Sequence, residues 1–280
     1  MTRYSDETPP ILAAFLPPSC PMYLTEFFAD ADTDLIGCIR CRDAQPLEMA
    51  LKIAFQPIVD VQARQVFAYE ALIRGAQGAS AGEVLAAVRP DQLYTFDQTC
   101  RVLAIDTAQR LGMDTYLSIN FLPNAVYEPA TCIRLTLAAA RKVGFSPERL
   151  IFEMTESEKM RDPGHALRII KDYQQRGFLT AIDDFGAGYS GLNLLAEFQP
   201  HIVKLDMALT RDIDRDAVRR AIVGGVIGTC KALGCQIIAE GIERREELHT
   251  LRDMGVTLFQ GYLLARPALE ALPEPDWRAC

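Results

Sequence analysis

Seven polar residues each close a short, β-branched apolar run: Glu70, Asn120, Glu153, Asp183, Lys204, Glu240 and Gln260. Glu70, Asn120, Glu153 and Asp183 offer oxygen ligands, a donor set that suits Mg²⁺ or Mn²⁺. Asp184 follows Asp183 directly. A carboxylate that bridges from such a pair can hold a second cation about 3.5–4 Å from the first. Two ions so placed activate a water and polarise a phosphoryl oxygen. Glu240 is a further candidate for the second ion, directly or through a water. The Lys204 ammonium could neutralise the charge developing on phosphorus and orient the attacking water. Any one of these residues alone reads better as a helix N-cap or a solvated loop carboxylate. The set does not, because independent caps would not avoid Ser and Thr so consistently.

Such residues converge only if the runs before them are strands of one sheet. The spacing predicts strands at 53–59, 66–73, 116–120, 150–154, 179–183, 202–205, 236–240 and 258–260. Helix-length segments lie at 83–111, 130–143, 163–176, 190–198, 214–233 and 244–254. Gly112, Gly144, Gly177, Gly234 and Gly255 mark helix ends just before the next strand. Only residues 60–65 join the first two strands, too few for a crossover helix, so that pair forms an antiparallel hairpin. Strands alternating with helices give an α/β barrel with its chemistry at the carboxyl ends of the strands.

The chain has 280 residues, of which 49% are hydrophobic, enough for one large core. A net charge of −8 argues against binding to polymeric nucleic acid. It leaves room for a small phosphate-bearing substrate, because bound metal inverts the local field. The sequence has no apolar run of membrane-spanning length and no secretory pattern at its start, so we expect a cytoplasmic protein. The cysteines read as buried free thiols, and the lone pair Cys38 and Cys41 lacks a second ligand pair at zinc spacing. Residues 1–47 are proline-rich and carry an acidic run. We expect a mostly irregular extension there with a short helix near 24–28, a barrel over 48–272 and a tail over 273–280.

The run from Gly186 to Gly191 matches G-x-G-x-x-G. As a dinucleotide fingerprint it is poorly placed: it follows two aspartates and comes late in the chain. A flexible loop beside the metal site, able to move with ligand or partner, fits better, and a plain turn is the simplest alternative.

With these residues in place the chain resembles the EAL-domain cyclic di-GMP phosphodiesterases. The resemblance rests on Gln56-Pro-Ile, Glu70-Ala-Leu-Ile-Arg74, Ser118-Ile-Asn120 and Glu153-Met-Thr-Glu156-Ser. It continues through Asp183-Asp-Phe-Gly-Ala-Gly-Tyr-Ser190, Lys204-Leu-Asp206, Ala239-Glu-Gly-Ile-Glu243 and Gln260-Gly-Tyr262. It runs from about residue 50 to 270. The resemblance implies a modified TIM (β/α)8 barrel with an antiparallel first pair. It also implies hydrolysis of cyclic di-GMP to linear pGpG by a water activated at two Mg²⁺ or Mn²⁺ ions. Glu70, Asn120, Glu153 and Asp183 would hold the first ion; Asp183 and Asp184 would serve the second, with Glu240 nearby. Lys204 would position the water. Gln56, Arg74 and Gln260 would contact substrate, Arg74 through a phosphate. Glu156 would hold loop 185–190, including Phe185, Gly186 and Gly188, in its active arrangement, beside a homodimer interface. Ca²⁺, with looser and higher coordination, would inhibit.

Two departures stand out. The segment after Arg74 is short and glycine-rich where the family has a Trp and a His-Pro pair, and Ala187 and Gly191 replace a common Thr and Ser. The alternative reading is a non-catalytic EAL domain that binds cyclic di-GMP or docks a partner. Such domains typically lack a metal ligand or the lysine, and here every position is filled.

Overall fold

The computed structural model describes residues 47, 49–155, 162–188 and 191–280. The expected extension, its short helix, Glu156 and Ser190 lie outside the described residues, apart from Leu47.

Strand β1 (Leu51–Asp60) turns directly into β2 (Gln65–Gly75), and the two pair antiparallel. The turn is fixed locally: the Asp60 carboxylate accepts from the Gln62 and Ala63 amides at 2.9 and 2.8 Å, and Arg64 is left-handed. From β2 the sheet runs parallel through β3 (Tyr116–Asn120), β4 (Leu150–Thr155), β5 (Leu179–Phe185), β6 (Ile202–Leu205), β7 (Gln236–Ala239) and β8 (Leu258–Phe259). β8 pairs antiparallel with β1 and closes the barrel, so β1 is reversed against both neighbours. A two-residue β9 (Ala268–Leu269), which the sequence reading missed, also pairs with β1.

The helices on the outside are α1 (Ala81–Ala87), α2 (Leu93–Arg110), α3 (Pro129–Val143), α4 (Pro163–Gln175), α5 (Gly191–Glu197), α6 (Met207–Thr210), α7 (Ala217–Leu233) and α8 (Arg245–Asp253). The helix expected over 83–111 is two helices. Pro90 disfavours helical geometry at the residue before it and removes an amide, so the chain breaks between α1 and α2. Likewise α7 starts at 217 rather than 214, where the Asp216 side chain caps the Val218 and Arg219 amides. All five glycines read as helix ends have positive φ, from 70° at Gly112 to 99° at Gly255.

Side chains alternate between barrel interior and helix shell. Ile58, Ala68, Ile151, Ala181, Ile202, Ile238 and Leu258 form one buried apolar plug inside the barrel. The residues between them, such as Phe152, Ile182, Val203 and Phe259, pack outward against the helices in the main core. Two positions past each plug residue of the parallel strands stands a site residue: Glu70, Glu153, Asp183, Lys204, Glu240 and Gln260. On the reversed β1 the count runs backwards, and Gln56 stands two positions before Ile58, opposite Glu70. The pleat therefore aims this set into one mouth, above an apolar floor that excludes water.

Candidate active site

Lys204 is fully buried at the centre of the mouth. Its Nζ lies 2.8 Å from Glu153 Oε2, 2.8 Å from Glu240 Oε1, 2.9 Å from Asp183 Oδ1 and 3.6 Å from Glu70 Oε2. The contact to Glu153 is a hydrogen bond; that to Asp183 is an ion pair whose Oδ1 finds no hydrogen-bond partner. Burial alone would push the ammonium down, yet Asp183, Glu153, Glu240 and Glu70 hold it well above the usual lysine range.

Amides frame the carboxylates. Asn120 Nδ2 donates to Glu70 Oε1 at 3.0 Å, and Gln260 Nε2 donates to Glu70 Oε2 at 2.7 Å. Gln260 also reaches Gln56 Oε1 at 3.2 Å, while Gln56 donates to the Ala265 carbonyl at 3.1 Å. Ser118 Oγ donates to Glu153 Oε1. Ser118 was quoted in the sequence motif without a role; it faces inward two residues before Asn120.

Adjacent residues on a strand point to opposite faces, yet Asp183 and Asp184 both line the mouth. Two local departures allow this. The β5–β6 register slips between Ile182 and Phe185, and Asp184 adopts φ 55°. A bulge of this kind re-aims a side chain. Burial, then Asp183 and Asp206, push the Asp184 carboxyl up to about 6. Burial pushes Glu153 up to about 8 against the pull of Lys204, with Glu70 and Asp183 adding to the rise. Burial and Asp183 also carry Glu240 well above the carboxylate range.

Five carboxyl groups thus face one ammonium. Oxygens of Glu70, Glu153 and Asp183 lie within 4.8 Å of one another, and so do oxygens of Asp183, Asp184 and Glu240. Asp183 belongs to both groups, which is the arrangement that two closely spaced cations sharing a carboxylate need. The donor set is all oxygen and strongly anionic, and it fits hard divalent ions. A third acidic group, Asp212, Asp214 and Glu247, is bridged by Arg244, which pairs with all three.

The remaining sequence-derived candidates stand apart from this cluster. Arg74 is on the inward face of β2 four residues beyond Glu70, about 13 Å along the strand, and its Nη1 donates to the Ile73 carbonyl at 2.7 Å. Phe185 does not belong to the glycine loop: it ends β5 and is buried in the core, because the bulge returns it to the outward face. The described part of the loop starts at Gly186, with φ 99°. A Cβ there would come within 2.2 Å of Leu209 on α6, so the glycine lets the loop lie against that helix. Gly188 is the last described residue before Gly191.

Two cavities meet at Glu70 and Asp183. One, about 310 Å³, is acidic and is also lined by Asp184, Asp206, Glu240, Glu243 and the exposed ring of Tyr262. The other, about 450 Å³, is mostly apolar, lined by Leu72, Leu85, Phe96, Cys100, Phe121 and Leu122 between β2, β3, α1 and α2. Asp206, Glu243 and Tyr262 lie inside motifs that the sequence reading quoted without giving them roles. The apolar cavity had no local signal, since strand residues beside Glu70 and Asn120 meet α1 and α2 only in the folded barrel.

Comparison with known proteins gives the family. The family model described as "EAL domain" matches residues 42–267. The chain belongs to the EAL domain family. Among relatives, the blue light- and temperature-regulated antirepressor BluF of Escherichia coli K12 is 32% identical over 80% of this chain and 56% of its own length. The cyclic di-GMP phosphodiesterase PA2567 of Pseudomonas aeruginosa is 28% identical over 82% of this chain and 40% of its own length. The chain thus spans about half the length of these curated relatives. A standalone versatile EAL protein from Vibrio cholerae O395, solved with c-di-GMP bound, superposes with a TM-score of 0.81 at 48% identity. That match covers 83% of this chain and 98% of that one. Klebsiella pneumoniae BlrP1, in a manganese and cyclic di-GMP complex, superposes with a TM-score of 0.76 at 36% identity over 81% of this chain and 58% of that one. The EAL barrel with its antiparallel strand pair is therefore the fold of this chain. Among the described residues no helix is long and apolar enough to cross a membrane.

Proposed function

We propose that this EAL domain hydrolyses cyclic di-GMP to linear pGpG, in the cytoplasm, with two Mg²⁺ or Mn²⁺ ions. The observation that carries the reading is the double use of Asp183 in two oxygen clusters around a buried lysine. Glu70, Asn120, Glu153 and Asp183 would hold one ion; Asp183, Asp184 and Glu240 the other. When bound, the ions supply Lewis-acid polarisation of the phosphoryl group and lower the pKa of a water. Lys204, held cationic by its carboxylates, orients that water and offsets charge developing on phosphorus. The water oxygen bonds to phosphorus, the P–O3′ bond breaks, and the 3′ oxygen takes up a proton. Gln260 holds the Glu70 carboxylate, and Gln56 in turn accepts from Gln260. Arg74, further out on the same strand face, would contact a phosphate. The acidic cavity suits the ion-bound phosphate, and the apolar cavity beside it suits a base. Glu156 and loop 186–190 would couple homodimer pairing to activity.

Purified protein incubated with cyclic di-GMP and Mg²⁺ should yield linear pGpG by chromatography. Ca²⁺ in place of Mg²⁺ should leave binding intact and stop turnover; equal turnover with Ca²⁺ contradicts the two-ion geometry. One observation favours a second reading: the relative at 32% identity is named an antirepressor. A non-catalytic receptor or docking module would bind cyclic di-GMP tightly without forming linear product. The complete ligand set supports the enzyme reading over it.

A further inference from the structure

Behind the mouth, outside the barrel wall, lies a buried charged group to which the proposed chemistry gives no role, although its Asp97 also lines the apolar cavity. Arg101 of α2 is fully buried, and Asp97, one turn earlier, is 2% exposed. Arg101 Nη2 lies 2.8 Å from Asp97 Oδ2, and Arg101 Nη1 donates to the Tyr173 hydroxyl of α4 at 2.8 Å. The guanidinium carbon sits 5.5 Å from the centre of the Phe121 ring, 5.4 Å from Phe152 and 5.9 Å from Tyr173. Asp97 Oδ1 accepts from the Leu122 amide at 2.9 Å, and its Oδ2 from the Gln98 side chain at 3.2 Å.

The ring contacts matter because of what adjoins them. Phe121 follows Asn120, and Phe152 precedes Glu153; Asn120 and Glu153 are directly paired across β3 and β4. The Phe121 amide donates to the Glu153 carbonyl at 3.0 Å. Pleating sends the two site residues inward and the two rings outward, onto one guanidinium. The strand β3 ends at Asn120, and the next backbone group held from outside is the Leu122 amide. Apolar side chains of similar volume fill a cage like this at no loss of stability, and often with a gain. What they cannot supply is a directed acceptor for a strand-end amide and a fixed plane for both rings.

We propose that Asp97, Arg101 and Tyr173 are positioning residues of the metal site, locking from outside the barrel the strand ends that aim Asn120 and Glu153 inward. This rests on the assignment of those two side chains as metal ligands. Groups that orient metal ligands at one remove alter affinity about 10- to 100-fold when changed.

The test is Mn²⁺ binding by titration calorimetry on the full chain, with thermal melting of the metal-free protein alongside. The paired variant Asp97→Leu with Arg101→Met removes both charges at similar volume. It should melt near the wild type and bind Mn²⁺ about 10- to 100-fold more weakly. Asp97→Asn with Arg101→Met, which keeps an oxygen for the Leu122 amide, should recover part of that loss. If the first variant does not fold, Tyr173→Phe removes only the hydroxyl and should still weaken Mn²⁺ binding. A folded paired variant, or Tyr173→Phe, with wild-type Mn²⁺ affinity overturns the proposal: the group is then core filling. Wild-type protein that binds no Mn²⁺ sinks the metal assignment itself, a distinguishable failure.

Discussion

Asp183 is the residue on which most of the site converges. It pairs with Lys204, shares one oxygen cluster with Glu70 and Glu153, and shares another with Asp184 and Glu240. Asp183→Asn keeps the shape and removes the bridging charge, so turnover of cyclic di-GMP should fall on the order of 10²- to 10³-fold, the loss typical of one transition-state contact. Steady-state kinetics at saturating Mg²⁺ checks this; near-wild-type turnover contradicts the assignment. Protonation gives a second expectation at this scale. Glu153 is pushed up to about 8 and Asp184 up to about 6 without ions. Cations must displace those protons. Mn²⁺ affinity should therefore rise as pH climbs from about 6 to about 8, with proton release measurable in calorimetry across buffers of different ionisation heat.

The ends of strands hold this set, and glycines let the following loops come close. A Cβ on Gly261 would stand 2.1 Å from the Ile242 carbonyl oxygen and 2.3 Å from its amide nitrogen. Backbone cannot step aside as a flexible side chain can. Gly261→Ala should cost about 1–3 kcal/mol through overpacking and lower the melting temperature by several degrees for a domain of this size. Because Gln260 is its neighbour and holds both Glu70 and Gln56, turnover should fall as well. Unchanged melting and kinetics would mean that the loop after β8 re-seats without cost. The glycine helix ends, by contrast, were legible directly: Gly112, Gly144, Gly177, Gly234 and Gly255 stand where αL geometry is needed. The break between α1 and α2 was legible in principle from Pro90, but a long apolar-periodic stretch masked it.

At the scale of the whole molecule, an acidic mouth built on an apolar floor makes folding depend on what fills it. Glu153 has an ordinary value of 4.5 when unfolded and about 8 when folded. Between those values the folded state keeps a proton that the unfolded chain releases. The contribution of this group is therefore present at low pH and lost as pH rises through the folded value. Metal-free protein should melt at progressively lower temperature from pH 5 to about pH 8 relative to protein in excess Mg²⁺, since ions bind the folded state alone. Parallel pH profiles with and without Mg²⁺ would contradict this coupling.

The residue types and their two-residue offset from apolar neighbours were set by the sequence alone: Ala68 and Glu70, Ile151 and Glu153, Ile202 and Lys204 obey the pleat wherever the strands pair. The hairpin followed from a link too short to cross over. What tertiary structure decided is how strands line up with one another. The stagger that sets Asn120 beside Glu153 but Glu70 beside Ser118 arises only on closing the barrel. So does the bulge that turns Asp183 and Asp184 to one side, and so does the meeting of Arg101 with rings from the residue after β3, from β4 and from α4. Pleat and turn are local and repeat with the chain; closure is a constraint among distant segments, and no window of sequence contains it.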